Sequence, residues 1–456
     1  MSAGALSLGR LGGASKGKAK GRGRTKKRSR GGAVSTEYNM LLTATLCLLA
    51  LGAVMVFSAS STTQVLHNGG LSNSAFYLKR TLIFGAVGLT IMHLAARHGL
   101  KAVRDLTPLL LGVSLFGLLA VLGAGTSVNG ASRWIGPSSL QFQPSELAKV
   151  ALVLYSVDLL ARKPKRARSI EGMMPLLVVC GVACLLIVAE PDLGTTMVVA
   201  LAVGATLLAA GARPRDLALI AMAIGAVALL MTVVEPYRMA RLTGFLHPGA
   251  DASGTGFQAA QAKIALGSGG VFGVGIGNGV QKAFYLPEAH TDMISAVIGE
   301  ELGLVGIVGV VGLFAMFGYA GLKVAQRAKD NYGKLLVAGL TSLIVVQATI
   351  NLFAVMGLAP LTGVPLPFVS YGNSSLIATL FAVGLILNVA RGGVARAART
   401  ETGSRAGKLR VVQGGRVPGR ERSRSNGARK AKGGGGRGGN RGARGPRHGG
   451  RRRASG

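Results

Sequence analysis

Met173–Gly211 reads MMPLLVVCGVACLLIVAEPDLGTTMVVALAVGATLLAAG, and its charged residues are Glu190 and Asp192. A membrane-spanning helix needs about 20 predominantly apolar residues. This stretch holds two such runs, 173–189 and 193–211, with Glu190-Pro191-Asp192 forcing a tight turn between them. Two spans back to back predict an all-α polytopic membrane protein.

Composition agrees. Charged residues are 15% of the 456, mean hydropathy is +0.44 and 49% of residues are hydrophobic. Soluble domains carry about 25% charge. The net charge of +35 sits mostly in two tails: +9 in residues 1–38 and +18 in residues 391–456, leaving +8 for the rest. Both tails are rich in Gly, Ser, Lys and Arg and poor in aromatics, a composition that stays disordered. They are expected to be cytoplasmic and to lie on anionic lipid or on a partner protein. No nucleic-acid partner is expected, because a recognisable binding fold and interleaved stacking aromatics are missing. Cys47, Cys180 and Cys184 lie in apolar runs and read as packing residues. No cleavable signal is evident.

Ten candidate spans follow: roughly 39–60, 80–96, 106–123, 145–161, 173–189, 193–211, 216–234, 294–322, 335–357 and 369–390. Their loops alternate in charge. One set carries Arg97, Lys101 and Arg104; Arg162, Lys163, Lys165, Arg166 and Arg168; Arg213 and Arg215; and Lys323, Arg327, Lys329 and Lys334. The positive-inside rule places this set and both termini in the cytoplasm. The motif-bearing loops then face outward, including a large one, 235–292, between the seventh and eighth spans. The transmembrane domain is therefore 39–390.

Polar residues gather in those outward loops. Lys282–Gly303, KAFYLPEAHTDMISAVIGEELG, holds Lys282, Glu288, His290, Asp292, Glu300 and Glu301 ahead of an apolar run. Ionisable groups against a membrane are costly and mark functional sites by default. Asp292 reads as a helix cap favoured by the N-terminal dipole, a role compatible with catalysis. For Glu300, burial against a basic group is the favoured reading, and for His290 a structural hydrogen bond. Glu146 and Lys149 share a helix face after Pro144 and Ser145, the latter a candidate cap. They read as a self-satisfied pair or as a charge site for an anionic substrate. Arg238 and Arg241 read as phosphate ligands, since a guanidinium fork matches phosphate oxygens, or as a snorkelling interfacial pair. The glycine-rich run Gly267–Gly279 lacks the strand–helix context of a dinucleotide site and reads as a flexible or re-entrant segment. Pro360–Ser375, PLTGVPLPFVSYGNSS, cannot form one uninterrupted helix. Its Ser370 and Ser374 would contact sugar hydroxyls or satisfy the loop backbone.

Five blocks, NGASRWI with QPSELAK, EPDLGT, GTGFQ, GSGG with QKAFYLPEAHTD and IGEELG, and GVPLPFVSYGNSS, occur in one order over about 39–390. In this the chain resembles the SEDS family, the FtsW, RodA and SpoVE group, and looks closer to the FtsW branch. It departs from the family pattern at Asn373, where a second glycine is usual, and at Glu190, where glutamine is usual. The resemblance implies a peptidoglycan glycosyltransferase that polymerises lipid II at the outer face of the cytoplasmic membrane, at the division septum. It also implies a class B penicillin-binding protein, the division transpeptidase, as partner, with other divisome proteins. Asp292 matches the catalytic acid, and Glu146 and Lys149 the associated cavity pair. The pyrophosphate leaving group calls for cations, with Lys149, Arg133, Arg238, Arg241 and Lys282 as candidates. Gln258, His290, Ser370 and Ser374 are candidate sugar or loop contacts. A divalent cation, Mg²⁺ or Mn²⁺, held partly by Asp292, is compatible with this chemistry; no organic cofactor is expected. Lipid II flipping and a non-catalytic divisome scaffold are the alternative functions.

Overall fold

The computed structural model describes residues 36–68, 75–128, 131–137, 141–234 and 256–411, together with Met239, Thr243 and Phe245. Each of the ten apolar stretches is built on a helix. These are α1 (Thr36–Asn68), α2 (Phe76–Arg97), α3 (Leu100–Ala124), α4 (Pro144–Arg162), α5 (Ile170–Ala189), α6 (Leu193–Ala209) and α7 (Pro214–Val234). After the long loop come α8 (Phe257–Ser268), the short α9 (Gln281–Phe284), α10 (Ile294–Arg327), α11 (Asn331–Val355) and α12 (Asn373–Val411). Among the described residues eight helices are long and apolar enough to cross a membrane. Of the other two, α6 is apolar but shorter, and α4 carries Glu146, Lys149, Asp158 and Arg162. The chain is a multi-pass helical membrane protein.

Several boundaries differ from the sequence reading: α1 runs to Asn68 rather than 60, α3 starts at Leu100 rather than 106, and the last helix differs at both ends. The last helix starts at Asn373 rather than at 369, because Ser370 is tied back to Leu366. It then continues to Val411, past the expected start of the tail at 391. The basic segments 1–35 and 412–456, and Arg238 and Arg241, lie outside the described residues. A small element that hydropathy did not announce is the antiparallel pair β1 (Thr126–Val128) and β2 (Ala131–Trp134) between α3 and α4.

The hairpin of α5 and α6 is as its sequence requires. Glu190 ends α5, and the Asp192 carboxylate caps α6 by accepting from the Thr195 N–H at 3.0 Å and its hydroxyl at 2.8 Å. α11 is the spine of the bundle, with 78% of its apolar window buried against α4, α6 and α10. By contrast α7 buries none of its window and presents Leu219, Met222, Leu229 and Leu230 outward, as a lipid-facing helix does.

Long-range polar contacts sort the loops into two ends. At one end Asp158 binds Arg104 at 2.5 Å and Arg162 at 2.9 Å, Arg327 pairs with Glu37, and Arg391 donates to the Tyr38 hydroxyl at 2.9 Å. At the other end Arg133 meets Glu190, Tyr371 meets His290, and Asn351 meets Asp292. The basic loops belong to the first end and the motif-bearing loops to the second.

Candidate active site

Asp292 lies just before α10, whose N-cap position is Met293 and has no side-chain cap. The aspartate is therefore not the helix cap. The single Thr291 hydroxyl proton has three acceptors in reach, the Glu288 carbonyl at 3.0 Å, Glu288 Oε2 at 3.1 Å and Asp292 Oδ1 at 3.3 Å, so both carboxylates stand against one hydroxyl. The Asp292 carbonyl accepts from Asn351 Nδ2 at 2.8 Å. The same amide nitrogen donates to the Val364 carbonyl at 2.8 Å, and Asn351 Oδ1 accepts from Ser295 at 2.9 Å. One buried side chain of α11 thus ties the start of α10 to the proline-rich loop.

That loop brings Arg133 alongside. The Arg133 Nε donates to the Glu190 carbonyl at 3.1 Å, and Nη2 donates to the Pro191 carbonyl. Its remaining nitrogen, Nη1, points to Gly363. A Cβ placed on Gly363 would stand 3.9 Å from Arg133 Nη1 and 3.9 Å from Asp292 Oδ2. Gly363 has a φ of +70°, a conformation natural to glycine, and its bare Cα leaves unfilled the space a side chain would take beside cation and carboxylate.

A second polar cluster supports the first. Lys149 Nζ lies 2.9 Å from both Glu146 oxygens and 2.8 Å from Gln347 Oε1. Gln347 Nε2 then donates to the Pro365 carbonyl at 2.9 Å. Glu146 and Lys149 are each 2% exposed. The pair is self-satisfied, and its outward reach passes through Gln347 to the loop beside Asp292. Pro144 opens α4 as expected, whereas Ser145 does not cap it: the Ser145 hydroxyl is buried without a partner among the described residues.

Around Asp292 the site carries aromatic rings. The His290 ring packs on Tyr77 (4.5 Å between centroids) and Tyr371 (5.6 Å), and Tyr77 and Tyr371 meet edge to face at 4.9 Å. The Tyr371 N–H donates to the His290 carbonyl at 2.9 Å, and Arg80 reaches the Tyr371 hydroxyl at 3.3 Å. Burial lowers the His290 pKa below its ordinary 6.5, opposed by the charge of Glu288. Its imidazole is neutral at neutral pH.

Other expected ligands are engaged elsewhere. Lys282 is 3% exposed; its Nζ binds Glu301 at 2.6 Å, Ser58 at 2.8 Å and the Gly277 carbonyl at 2.9 Å. An ammonium has three protons, so all are committed to protein groups. The basic partner foreseen for Glu300 belongs instead to Glu301. Glu300 Oε1 accepts the N–H groups of Val280 and Gln281, at 2.7 and 3.1 Å. Ser370 Oγ accepts from the Leu366 N–H at 2.8 Å, and Ser374 Oγ from the Gln143 N–H at 3.1 Å. Gln258 donates to the Pro287 carbonyl at 3.3 Å. These three satisfy loop backbone.

The glycine-rich segment threads into a break in α10 at Gly303, where φ is +65° and ψ is −160°. The Glu300 and Glu301 carbonyls accept from Val274 and Gly275, at 3.0 and 3.1 Å. Leu304 and Val305 in turn donate to the carbonyls of Gly270 and Val271, at 3.0 and 3.1 Å. The loop supplies the four bonds the interrupted helix lacks, which is how irregular backbone is tolerated at membrane depth.

Sequence reading gave no role to Gln347, Asn351, Thr291, Tyr77 or Arg80. A signal existed for the first two. They stand four residues apart on an otherwise apolar spanning helix, a spacing that places both on one face.

The FtsW, RodA and SpoVE family model, described as "Cell cycle protein", matches residues 38–393. The chain is 40% identical over 357 residues to the "Probable peptidoglycan glycosyltransferase FtsW" of Geobacter sulfurreducens, covering 77% of this chain and 94% of the relative. It is 39% identical over 358 residues to "Stage V sporulation protein E" of Bacillus subtilis, covering 77% and 96%. Among solved structures, a chain of a complex described as "Structural coordination of polymerization and crosslinking by a peptidoglycan synthase complex" is similar with a TM-score of 0.63 at 31% identity, over 77% of this chain and 97% of that one. The "Rod shape determining protein RodA" of Thermus thermophilus gives a TM-score of 0.57 at 28% identity, over 77% and 95%. A family match across most of the chain, with relatives this similar over nearly their full length, establishes that the chain belongs to the FtsW, RodA and SpoVE family of cell cycle proteins.

Proposed function

We propose that the space between Asp292, Arg133 and Gly363 is where this chain, a peptidoglycan glycosyltransferase, polymerises lipid II into glycan strands during septal wall synthesis. The observation that carries this reading is the approach of Asp292 Oδ2 and Arg133 Nη1 to one bare glycine, each 3.9 Å from its Cβ position. A base and a cation beside one bare glycine suit transfer from a pyrophosphate donor. Asp292 takes the proton of the acceptor sugar hydroxyl as its oxygen attacks the donor's anomeric carbon. The new glycosidic C–O bond forms with inversion as the bond to pyrophosphate breaks. The leaving polyprenyl pyrophosphate keeps that electron pair, and Arg133 stabilises its charge. Glu146, Lys149, Gln347 and Asn351 hold the frame.

The Glu288 and Asp292 carboxylates both stand within reach of the Thr291 hydroxyl, a donor set suited to a hard cation. Among the described residues no three His, Cys, Asp or Glu side chains converge, so a bound Mg²⁺ or Mn²⁺ would draw its other ligands from the substrate. When bound it would supply charge neutralisation at the pyrophosphate.

The orientation has the site outside and both termini in the cytoplasm. Support comes from the basic loops gathered at the opposite end of the bundle. The similarity to a synthase complex supports a class B penicillin-binding protein as partner, with other divisome proteins at the septum. Residues 1–35 and 412–456 carry the polybasic composition that holds to anionic lipid.

The test is polymerisation of fluorescent lipid II in detergent by the purified chain with its transpeptidase partner. Wild type is expected to give glycan polymer. Asp292→Asn is expected to give none while still co-purifying with the partner. Polymer from Asp292→Asn would overturn the assignment of the base.

A further inference from the structure

Glu190 has a role that the catalytic reading leaves open. It is 1% exposed, and neither carboxyl oxygen has a hydrogen-bond partner among the described residues. A guanidinium is nevertheless close at hand. Arg133 binds the main-chain carbonyls of Glu190 and Pro191 and bypasses the Glu190 side chain. A carboxylate is a stronger acceptor for a guanidinium than a carbonyl, and the fork geometry favours it further. An ionised Glu190 beside Arg133 would capture it. The observed arrangement is that of an uncharged acid, the form that isolated burial imposes on a carboxyl group.

The surroundings leave few other charges to consider. Asp192, at the start of α6, is engaged by the Thr195 N–H and hydroxyl. On β2 the facing charge is Arg133. α4 packs on both α5 and α6, and its Glu146 and Lys149 neutralise each other. The loop after α11 meets this turn through Thr362 and Val364, which press on Gly194 and do not titrate.

We propose that Glu190 is a positioning residue: as the neutral acid it leaves Arg133 seated on the two turn carbonyls with Nη1 toward Asp292, and as the carboxylate it withdraws Arg133 from that seat. The proposal rests on the reading of Arg133 as the cation that meets the pyrophosphate. Burial, reinforced by the charge of Asp192 and opposed by that of Arg133, raises the Glu190 pKa from 4.5 to about 8. The acid form then prevails at neutral pH, and the carboxylate takes over above about 8. Because the folded pKa is raised, the stabilising contribution of the proton is complete below 4.5 and is lost as pH rises to about 8.

The test compares wild type with Glu190→Gln, each as the full chain with the same partner, in lipid II polymerisation across neutral to alkaline pH. Glutamine cannot ionise. Glu190→Gln is expected to match wild type at neutral pH and to exceed it by about tenfold per pH unit above the ionisation. Thermal unfolding of the isolated chain in detergent is the second readout: wild type should lose stability as pH rises to about 8, and Glu190→Gln should not. Superimposable profiles in both measurements overturn the proposal, as does a folded Glu190→Gln protein inactive at every pH. Arg133→Gln separates this idea from the reading beneath it. Full polymerisation by Arg133→Gln overturns Arg133 as the pyrophosphate cation and with it the positioning role. A lost activity there, with divergent pH profiles for Glu190→Gln, supports both.

Discussion

Asn351 donates to the main-chain carbonyl of Asp292 at 2.8 Å from the face of a helix 59 residues further along the chain. Through the same nitrogen it holds the Val364 carbonyl, so one amide sets the distance between the proposed base and the loop that carries Gly363. Asn351→Leu keeps the volume and removes these bonds. It leaves the Val364 and Asp292 carbonyls unsatisfied, at about 1–3 kcal/mol for each buried group. Polymerisation should fall by about 100-fold, as it does when reacting groups are misplaced by about 1 Å. Melting temperature and polymer yield, measured together, check this; unchanged yield would free Asn351 from any part in placing Asp292.

The Glu146–Lys149 pair is buried on both sides, with side-chain exposures of 2% and 3%. Removing one partner strands the other charge, so Lys149→Met should destabilise by roughly 3–5 kcal/mol. The double change Glu146→Leu with Lys149→Met should recover much of that stability. It should not recover activity, because Gln347 would lose the ammonium that orients it toward Pro365. A double variant with wild-type polymerisation would reduce the pair to packing.

Gly303 and the glycine-rich segment form one structural unit. Gly303→Ala places a methyl group against the Gly273 N–H and Val271 carbonyl in a backbone conformation that non-glycine residues adopt at a cost of roughly 1–3 kcal/mol. The four exchanged hydrogen bonds should be lost together. Expected outcomes are a lower melting temperature and faster proteolysis around residues 269–280. Unchanged stability would show that the break is not glycine-dependent.

His290 gives the chain an acid-sensitive element. Its pKa is lowered by burial, so its contribution to stability is present above the ordinary 6.5 and is lost as pH falls through the folded value. His290→Gln should flatten the dependence of melting temperature on pH below about 6.5 while leaving the neutral value within a few degrees. A wild-type acid slope in this variant would assign the loss to another group.

Hydropathy and charge were enough to read the helices, because each spanning segment must satisfy its own backbone and does so locally. The Met173–Gly211 run declared a hairpin, and Asp192 proved to be its cap. Loop charges also separated the two ends of the bundle before any contact was known. Side-chain engagement was another matter. Lys282, Glu300 and Glu301 looked alike in a line of sequence, yet Lys282 closes on Glu301 and Ser58 while Glu300 holds backbone. Those choices depend on a glycine-rich loop entering α10, a long-range event that periodicity does not encode.

The sequence by itself determined the membrane class, the placement of polar motifs at one end and the family pattern around Asp292. Tertiary structure decided which of those polar residues stand together. Asp292 and Arg133 are 159 positions apart and come near each other because Asn351, Gln347 and Gly363 bring α10, α11 and the proline-rich loop into one place. The physical reason is the cost of unpaired polar groups away from water. The buried groups of Lys149, Lys282, Gln347, Asn351 and Glu301 find partners largely on other elements, and Glu190 is an exception.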